Sequence, residues 1–195
     1  MTLADGQRRH LERVLRLGEG SPVSYTDGRG VEGTGHLLNG AVMRGPEVTG
    51  AAPARVTLAV APPAERSRAR FIVEKLAELG VARLVWVHTR RTEGRPPPPA
   101  RSEAWAEAAL EQSRGSWLME VASGRVEALD RPLVVADRSG TPSWPGGCAC
   151  VLVGPEGGFD EAELPEDAVR VSFAPTVLRV ETAAVVAATL ALARQ

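Results

Sequence analysis

The stretch CACVLVGPEGGFDEAEL, residues 148–164, decides the fold. The apolar run Cys150–Val153 is followed by a turn of three glycines and one proline, and then by acidic residues typical of a helix start. This pattern predicts a buried strand over 148–153 and a short helix near 160–164. Because glycine leaves the backbone uncovered, we expect another group to approach the backbone closely between the two.

Outward from this stretch, helical and strand patterns alternate along the chain. We predict helices at 66–79, 102–113 and 180–193, and further strands at 84–88, 133–137 and 169–173. Such alternation predicts an α/β fold whose parallel sheet is covered on both faces by helices. The last helix is apolar on every side, so we expect it to be buried, with another subunit as one candidate partner.

The first sixty residues have a different texture. A short helix over 5–17 is followed by a predicted hairpin, 22–26 with 31–38, and by candidate strands at 41–43 and 55–60. Pro62 and Pro63 then interrupt the chain. We therefore predict a small β-rich domain over 1–62 and an α/β domain over 63–195.

Two unusual loops follow strands of the predicted parallel sheet, at 154–158 and 173–179, where open sheets bind ligands. No strand end carries the glycine motif of a dinucleotide or triphosphate site, there is no nucleophile-elbow motif, and three scattered histidines favour neither a triad nor a metal site. Cys148 and Cys150 are interpreted as buried thiols, with a metal or disulfide role as the weaker alternative.

Charge and hydropathy restrict the partners. The net charge is only -1, but residues 65–101 carry nine basic and four acidic side chains, whereas 156–170 carry six acids and one arginine. This asymmetry favours a polyanion-binding face, although a solvated arginine-rich helix explains it as well. With neither a signal sequence nor a membrane-spanning stretch in the pattern, we expect a cytoplasmic protein without a membrane partner.

Two segments carry a resemblance to a known family. Gly154-Pro155-Glu156-Gly157-Gly158-Phe159 and, about twenty residues later, Leu178-Arg179-Val180-Glu181-Thr182-Ala183 resemble the signature loops of bacterial 16S rRNA uridine N3-methyltransferases, the RsmE type of the knotted SPOUT class. The helix end Lys75 to Val81, Arg91-Thr92, and Trp105 with Glu111-Gln112-Ser113 resemble further family segments. The N-terminal residues 10–17 with Asp27-Gly28 are similar to the family's PUA-like domain.

The resemblance implies an S-adenosylmethionine-dependent enzyme that modifies 16S rRNA in the small ribosomal subunit. It also implies a homodimer, a C-terminal SPOUT domain with a trefoil knot, and a shortened PUA-like β domain before it. The knot is an expectation from the family resemblance alone. Because true knots are nearly absent from proteins, no pattern in the sequence itself predicts one.

Candidate site residues follow from the signature loops and from charge. Arg179 is expected to stabilise negative charge on the uracil carbonyl oxygens, with a structural ion pair as the alternative. Glu156 and Glu181 are candidates to accept the proton or to orient Arg179, or else they stabilise their own helix starts. The expected cofactor contacts are Val153, Gly154, Pro155, Glu156, Gly157, Gly158, Phe173, Ala174, Val177, Leu178 and Thr182. The expected RNA contacts are Arg9, Arg13, Arg16, Arg66, Arg68, Arg70, Arg90 and Arg91.

Several positions depart from the family pattern. Ala174 stands for a usual glycine, Thr176 for a basic residue and Gly115 for an arginine, while Glu65 and Met119 replace a lysine and a proline. If the glycine had a positive φ or faced the cofactor, Ala174 would be strained or obstructive. Three functions are therefore considered: the 16S rRNA methyltransferase, which we prefer, a SPOUT methyltransferase for another RNA, and a non-catalytic dimeric RNA-binding scaffold.

Overall fold

The computed structural model describes residues 2–3, 5–147 and 150–194, and the chain divides into two compact units, Met1–Ala52 and Pro53–Gln195. The domain boundary predicted after residue 62 is therefore wrong. Strand Thr57–Val60, assigned from the sequence to the first domain, pairs on both sides with strands of the second unit. All four of its residues are buried, which suits an inner strand of a parallel sheet.

The first unit is a three-stranded antiparallel sheet preceded by a short helix. Strands β1 (Pro22–Thr26), β2 (Val31–Leu38) and β3 (Ala41–Thr49) lie in the order β1-β2-β3, which confirms the predicted hairpin and extends the third strand. Asn39 and Gly40 join β2 to β3 with φ values of 51° and 70°, the left-handed pair that a two-residue hairpin turn requires.

The predicted helix over 5–17 is shorter in the structure. Helix α1 spans Asp5–Arg9 and continues as one π-helical turn, His10–Val14. Arg16 has a φ of 55°, so the backbone leaves the right-handed helical region one residue before the predicted helix end at residue 17.

The second unit contains a six-stranded parallel sheet. Its strands are β4 (Thr57–Val60), β5 (Arg83–Val87), β6 (Glu120–Gly124), β7 (Leu133–Thr141), β8 (Cys150–Val153) and β9 (Val169–Val171), in the order β6-β5-β4-β8-β7-β9. Every pair in this sheet is parallel. β6 was not predicted, since its sequence EVASG has a single β-branched residue. Cys150 is buried in β8, and the other thiol, Cys148, lies outside the described residues.

Three helices cover one face of this sheet: α2 (Arg66–Glu78), α3 (Pro99–Ser113) and α4 (Val180–Leu192). Their buried residues share one core cluster with alternate strand residues such as Leu58 and Leu84. α4 buries six residues, mostly alanines, as its all-round apolar sequence predicts.

The opposite face of the sheet does not carry α-helices in the described part of the chain, so the expectation of helices on both faces is wrong. Ala59, Val85 and Leu152 point into a second cluster, which Val126, Leu129 and the partly buried Phe159, Leu164 and Ala168 cover. In the described residues, the connections on this side form 3-10 turns at Val126–Ala128 and Glu161–Glu163. The helix predicted at 160–164 is the second of these turns. None of the described helices is both long and apolar enough to cross a membrane.

Candidate functional site

The carboxyl ends of the parallel strands meet at one edge of the sheet, and both unusual loops begin there. The Gly154–Gly158 loop follows β8, and the loop 172–179 follows β9 and leads into α4. β4 ends beside β8, where the amide of Ala61 donates to the carbonyl of Val153 at 2.9 Å. The ligand-binding edge predicted from the sequence is thus formed by the connections after β4, β5, β8 and β9.

Each glycine of the first loop meets a different structural requirement. A Cβ added to Gly154 would lie 2.7 Å from the ring of Phe159, and one added to Gly157 would lie 3.3 Å from Cβ of Arg91. Gly158 has open space around it but a φ of 71°, which glycine adopts without strain. At Gly154 and Gly157 the protein's own side chains therefore occupy the space that sequence analysis reserved for a cofactor.

A capping box ends this loop. The carboxylate of Asp160 accepts from the amide of Ala162 at 3.2 Å, and Glu163 accepts from the amide of Asp160 at 3.1 Å. Arg90 donates to Asp160 at 2.9 Å. The hydrogen bond from Ala162 has the largest effect on the pKa of Asp160, and both it and the bond from Arg90 lower that pKa. The carboxylate therefore stays charged at neutral pH.

The second loop leaves β9 and presents an exposed arginine at the start of α4. Val177 is 73% exposed, and Arg179 occupies the N-cap position of α4 with its side chain exposed. Among the residues that the structure describes, no side-chain partner is found for Arg179. Ala174 does not have a positive φ, so the strain considered for this replacement of glycine is absent. Phe173 packs against Trp144 with ring centroids 5.8 Å apart.

Arg68 of α2 joins the two loops. Its guanidinium nitrogens lie 3.2 Å from Glu65, 3.5 Å from Glu156 of the first loop and 3.7 Å from Glu181 at the start of α4. The Glu181 side chain is only 14% exposed, and its Oε2 is buried without a hydrogen-bond partner in the described residues. Three carboxylates therefore surround this one guanidinium.

The arginines predicted to contact RNA differ in their surroundings. Arg66 lies over the ring of Trp105 at 5.8 Å, and Arg70 pairs with Glu74 at 2.7 Å, so both are anchored on the exposed side of α2. Arg90 and Arg91 contact the first loop. Arg9, Arg13 and Arg16 lie in the first unit, in and just after α1.

The remaining predicted cofactor contacts lie along the same two loops. Val153 and Pro155 are buried, Leu178 is partly buried and Thr182 is exposed on the first turn of α4. Sequence reasoning placed these residues but missed the role of Arg68 at the centre, because only the fold brings α2 between the loops. The motif Thr89-Arg90-Arg91-Thr92 could have predicted a turn, because threonine hydroxyls often bond the nearby backbone. The sequence prediction did not include this turn.

Comparisons with known proteins agree with this fold. The family model for the RNA methyltransferase domain matches residues 51–192, nearly all of the second unit and most of the chain. The chain belongs to this RNA methyltransferase family and is of its RsmE type. The search of curated proteins gives no match.

Solved structures match nearly the whole chain. A probable rRNA-methyltransferase from Porphyromonas gingivalis is 26% identical with a TM-score of 0.85, covering 98% of this chain and 93% of that one. The ribosomal RNA small subunit methyltransferase E from Neisseria gonorrhoeae, bound to S-adenosyl methionine, is 27% identical with a TM-score of 0.78, covering 96% and 89%. A predicted RNA methyltransferase from Thermotoga maritima, at 23% identity and TM-score 0.81 over 98% and 91%, shares the fold.

Proposed function

We propose that this protein transfers a methyl group from S-adenosylmethionine to N3 of a uridine in 16S rRNA of the small ribosomal subunit. Family membership supports RNA methylation, and the similarity to the Neisseria gonorrhoeae enzyme supports the cofactor and the small subunit. The observation that carries the proposal is the position of Arg68, which ties Glu156 and Glu181 of the two signature segments into one site.

The residues at this edge suit the cofactor chemically. S-adenosylmethionine bears a positively charged sulfonium. The three carboxylates around Arg68 carry more negative charge than the single positive charge of the Arg68 guanidinium balances. Oε2 of Glu181, buried and without a hydrogen-bond partner among the described residues, also requires a donor, which a ligand would supply. We assign the adenosine contacts to backbone groups of Val153 to Gly158 and of Phe173 to Leu178, with Ala174, Val177 and Thr182 beside them.

When bound, S-adenosylmethionine would supply an electrophilic methyl group and leave as S-adenosylhomocysteine once its methyl–sulfur bond breaks, and the nucleophile would be N3 of the uracil ring. The N3 proton must leave as the new N–C bond forms. Glu156, exposed on the first loop, or Glu181 accepts this proton. Arg179, which has no side-chain partner among the described residues, would donate to the flanking carbonyl oxygens and stabilise the charge that develops there, an effect of about 3–4 kcal/mol in comparable sites.

RNA contact is proposed for the arginines of both units. Arg66, Arg68 and Arg70 lie on the first two turns of α2, next to the site, and Arg90 and Arg91 follow β5. Arg9, Arg13 and Arg16 would act with a PUA-like first unit. These side chains would bind phosphates and set affinity, whereas the pocket would select the base. We further propose the trefoil knot, a homodimer and a cytoplasmic location.

The test is methylation of small subunits that lack the modification, with methyl-labelled S-adenosylmethionine, followed by digestion to nucleosides and mass spectrometry. We expect labelled 3-methyluridine with the wild type and a loss of about 100-fold or more in rate for Arg179→Ala. Arg125→Ala, an exposed arginine of the second unit remote in sequence from both loops, should retain the wild-type rate. A different labelled nucleoside would identify another target, and absence of label with every RNA tested would favour the scaffold.

A further inference from the structure

We propose that Arg90 and Arg91, together called the loop clamp, are positioning residues that fix the glycine loop after β8 in its binding conformation. The inference rests on the proposed function only in taking this loop as the cofactor site. It assigns the two arginines a role that charge alone does not give them, since sequence analysis treated both as phosphate contacts.

The loop clamp is attached to a rigid turn at the end of β5. The amide of Thr89 donates to Oγ1 of Thr92 at 3.0 Å, the amide of Thr92 donates to the carbonyl of Thr89 at 3.1 Å, and the two hydroxyls lie 2.9 Å apart. Thr89 is only 3% exposed. A Cβ on Gly94 would come within 2.2 Å of the carbonyl oxygen of Pro62, so the chain beyond the turn is packed directly against the segment that follows β4. Both arginines thus project from a fixed base.

Arg91 fixes one peptide plane of the loop. Its guanidinium donates to the carbonyl of Gly157 at 2.9 Å, while the amide of the next residue, Gly158, donates to the carbonyl of Pro155 at 2.9 Å. Because a carbonyl and the following amide belong to one rigid plane, these two bonds hold both ends of the Gly157–Gly158 peptide. The plane lies between two residues without Cβ atoms, one of them at a φ of 71°, where free rotation would otherwise be widest.

Arg90 fixes the end of the same loop. Its backbone amide donates to Oε1 of Glu163 at 2.6 Å, and its guanidinium donates to Asp160 at 2.9 Å. Glu163 uses its other oxygen for the amide of Asp160, so one carboxylate joins the turn after β5 to the capping box. The loop is therefore held at Gly157 and again at residues 160–163, and the segment between them carries Gly158 and Phe159.

This geometry has a consequence for ligand binding. A loop already held in one conformation loses less conformational freedom when a ligand binds, so removing the loop clamp should weaken cofactor affinity without removing any cofactor contact. A purely phosphate-binding arginine would instead change RNA affinity and leave the unliganded loop as it is. The two roles therefore differ in a measurement made without RNA or cofactor.

The test is amide hydrogen exchange, by mass spectrometry, of peptides covering residues 153–164 in the unliganded protein. In Arg91→Ala we expect exchange at the amide of Gly158, which donates to Pro155 and shares a peptide plane with the Gly157 carbonyl, to be about tenfold faster than in the wild type, as for loss of one charge-assisted hydrogen bond. Arg91→Lys keeps a donor and should restore most of the protection. Arg125→Ala, whose side chain is 86% exposed, is the matched control and should leave the loop unchanged.

Unfolding in urea and exchange in the β4 and β8 peptides report whether each variant keeps its core. If Arg91→Ala does not fold, Arg90→Ala carries the test, with faster exchange expected at 160–163. If the loop of Arg91→Ala exchanged at the same rate as the loop of Arg125→Ala, the proposal would be overturned. A simultaneous fall in RNA affinity would then show that Arg91 is a phosphate contact. S-adenosylmethionine titration of the same variants should show about tenfold weaker binding for Arg91→Ala. If the wild type itself failed to bind, the proposed function would fail while the exchange result still decided the clamp.

Discussion

Gly154→Ala tests whether the first glycine of the loop serves the protein's own packing or only a ligand. The added Cβ would lie 2.7 Å from Cε2 and Cζ of Phe159, against an ordinary carbon separation of about 3.5–4.0 Å. The ring must therefore retreat by about 1 Å from the core cluster beneath the sheet, where it packs partly buried. Overpacking of this size lowers the free energy of unfolding by about 1–3 kcal/mol.

The assay is urea unfolding of Gly154→Ala, Phe159→Leu and the double variant, followed by circular dichroism. Leucine removes the ring atoms that the new methyl group would meet, so the cost of Gly154→Ala should fall by about 1–2 kcal/mol in the double variant. Gly146→Ala is the control, because no atom of the described residues beyond its two chain neighbours lies within 4 Å of its added Cβ, and its φ is not positive. If the losses of unfolding free energy in the two single variants add up to that of the double variant within about 0.5 kcal/mol, the packing explanation is refuted. If Gly154→Ala leaves stability unchanged but abolishes cofactor binding, the glycine is kept for the ligand.

Two further predictions concern stability away from the loop. Asp137 is partly buried, which raises its pKa, but hydrogen bonds from Ser139 and the charge of Arg170 outweigh burial and leave the pKa below its usual value. Because the folded-state pKa is lowered, the ionised carboxylate stabilises the protein above the unfolded-state pKa of about 4, and this stabilisation is lost as the pH falls through the folded-state pKa. The Tm advantage of the wild type over Asp137→Asn should therefore be present at neutral pH and diminish progressively as the pH falls below about 4. Thermal scans across pH check this, with the exposed Asp167→Asn as a control expected to change little, and a Tm difference independent of pH would contradict it. Separately, Arg114 follows α3 with a φ of 56°, the position that glycine prefers, so Arg114→Gly should raise the free energy of unfolding by about 0.5–1 kcal/mol in urea, whereas a decrease would show that the side chain contributes more than its strain costs.

The sequence predicted the binding edge because its signals are local. An apolar run before Gly154 and an alternating pattern of strands and helices were enough to bring both loops to the carboxyl end of a parallel sheet. Periodicity could not say which face the helices take, because the 3-10 turns on the second face have too few residues to show a helical repeat. Strand β4 was placed in the wrong unit for a similar reason, since four buried residues after a proline and glycine-rich stretch look alike in either sheet.

The roles of individual arginines were beyond sequence reasoning. The sequence shows that Arg68, Arg90 and Arg91 lie in a basic segment, but it does not show which group each guanidinium contacts. Arg68 meets Glu156 and Glu181 only because α2 lies beside α4 in the folded unit. Arg91 meets Gly157 across 66 residues of sequence. In both cases the tertiary contact, which no local pattern encodes, separates a loop-organising arginine from a solvated one.

The central claim is that the two signature loops form one S-adenosylmethionine site, and calorimetric titration of the purified wild type with this cofactor tests it most directly. Binding in the micromolar range with one site per chain is the expected result. Arg179→Ala should bind nearly as well, because this exposed side chain is assigned to the RNA base rather than to the cofactor. No detectable binding by the wild type near millimolar cofactor would contradict the account and favour a fold that has kept these loops without using them.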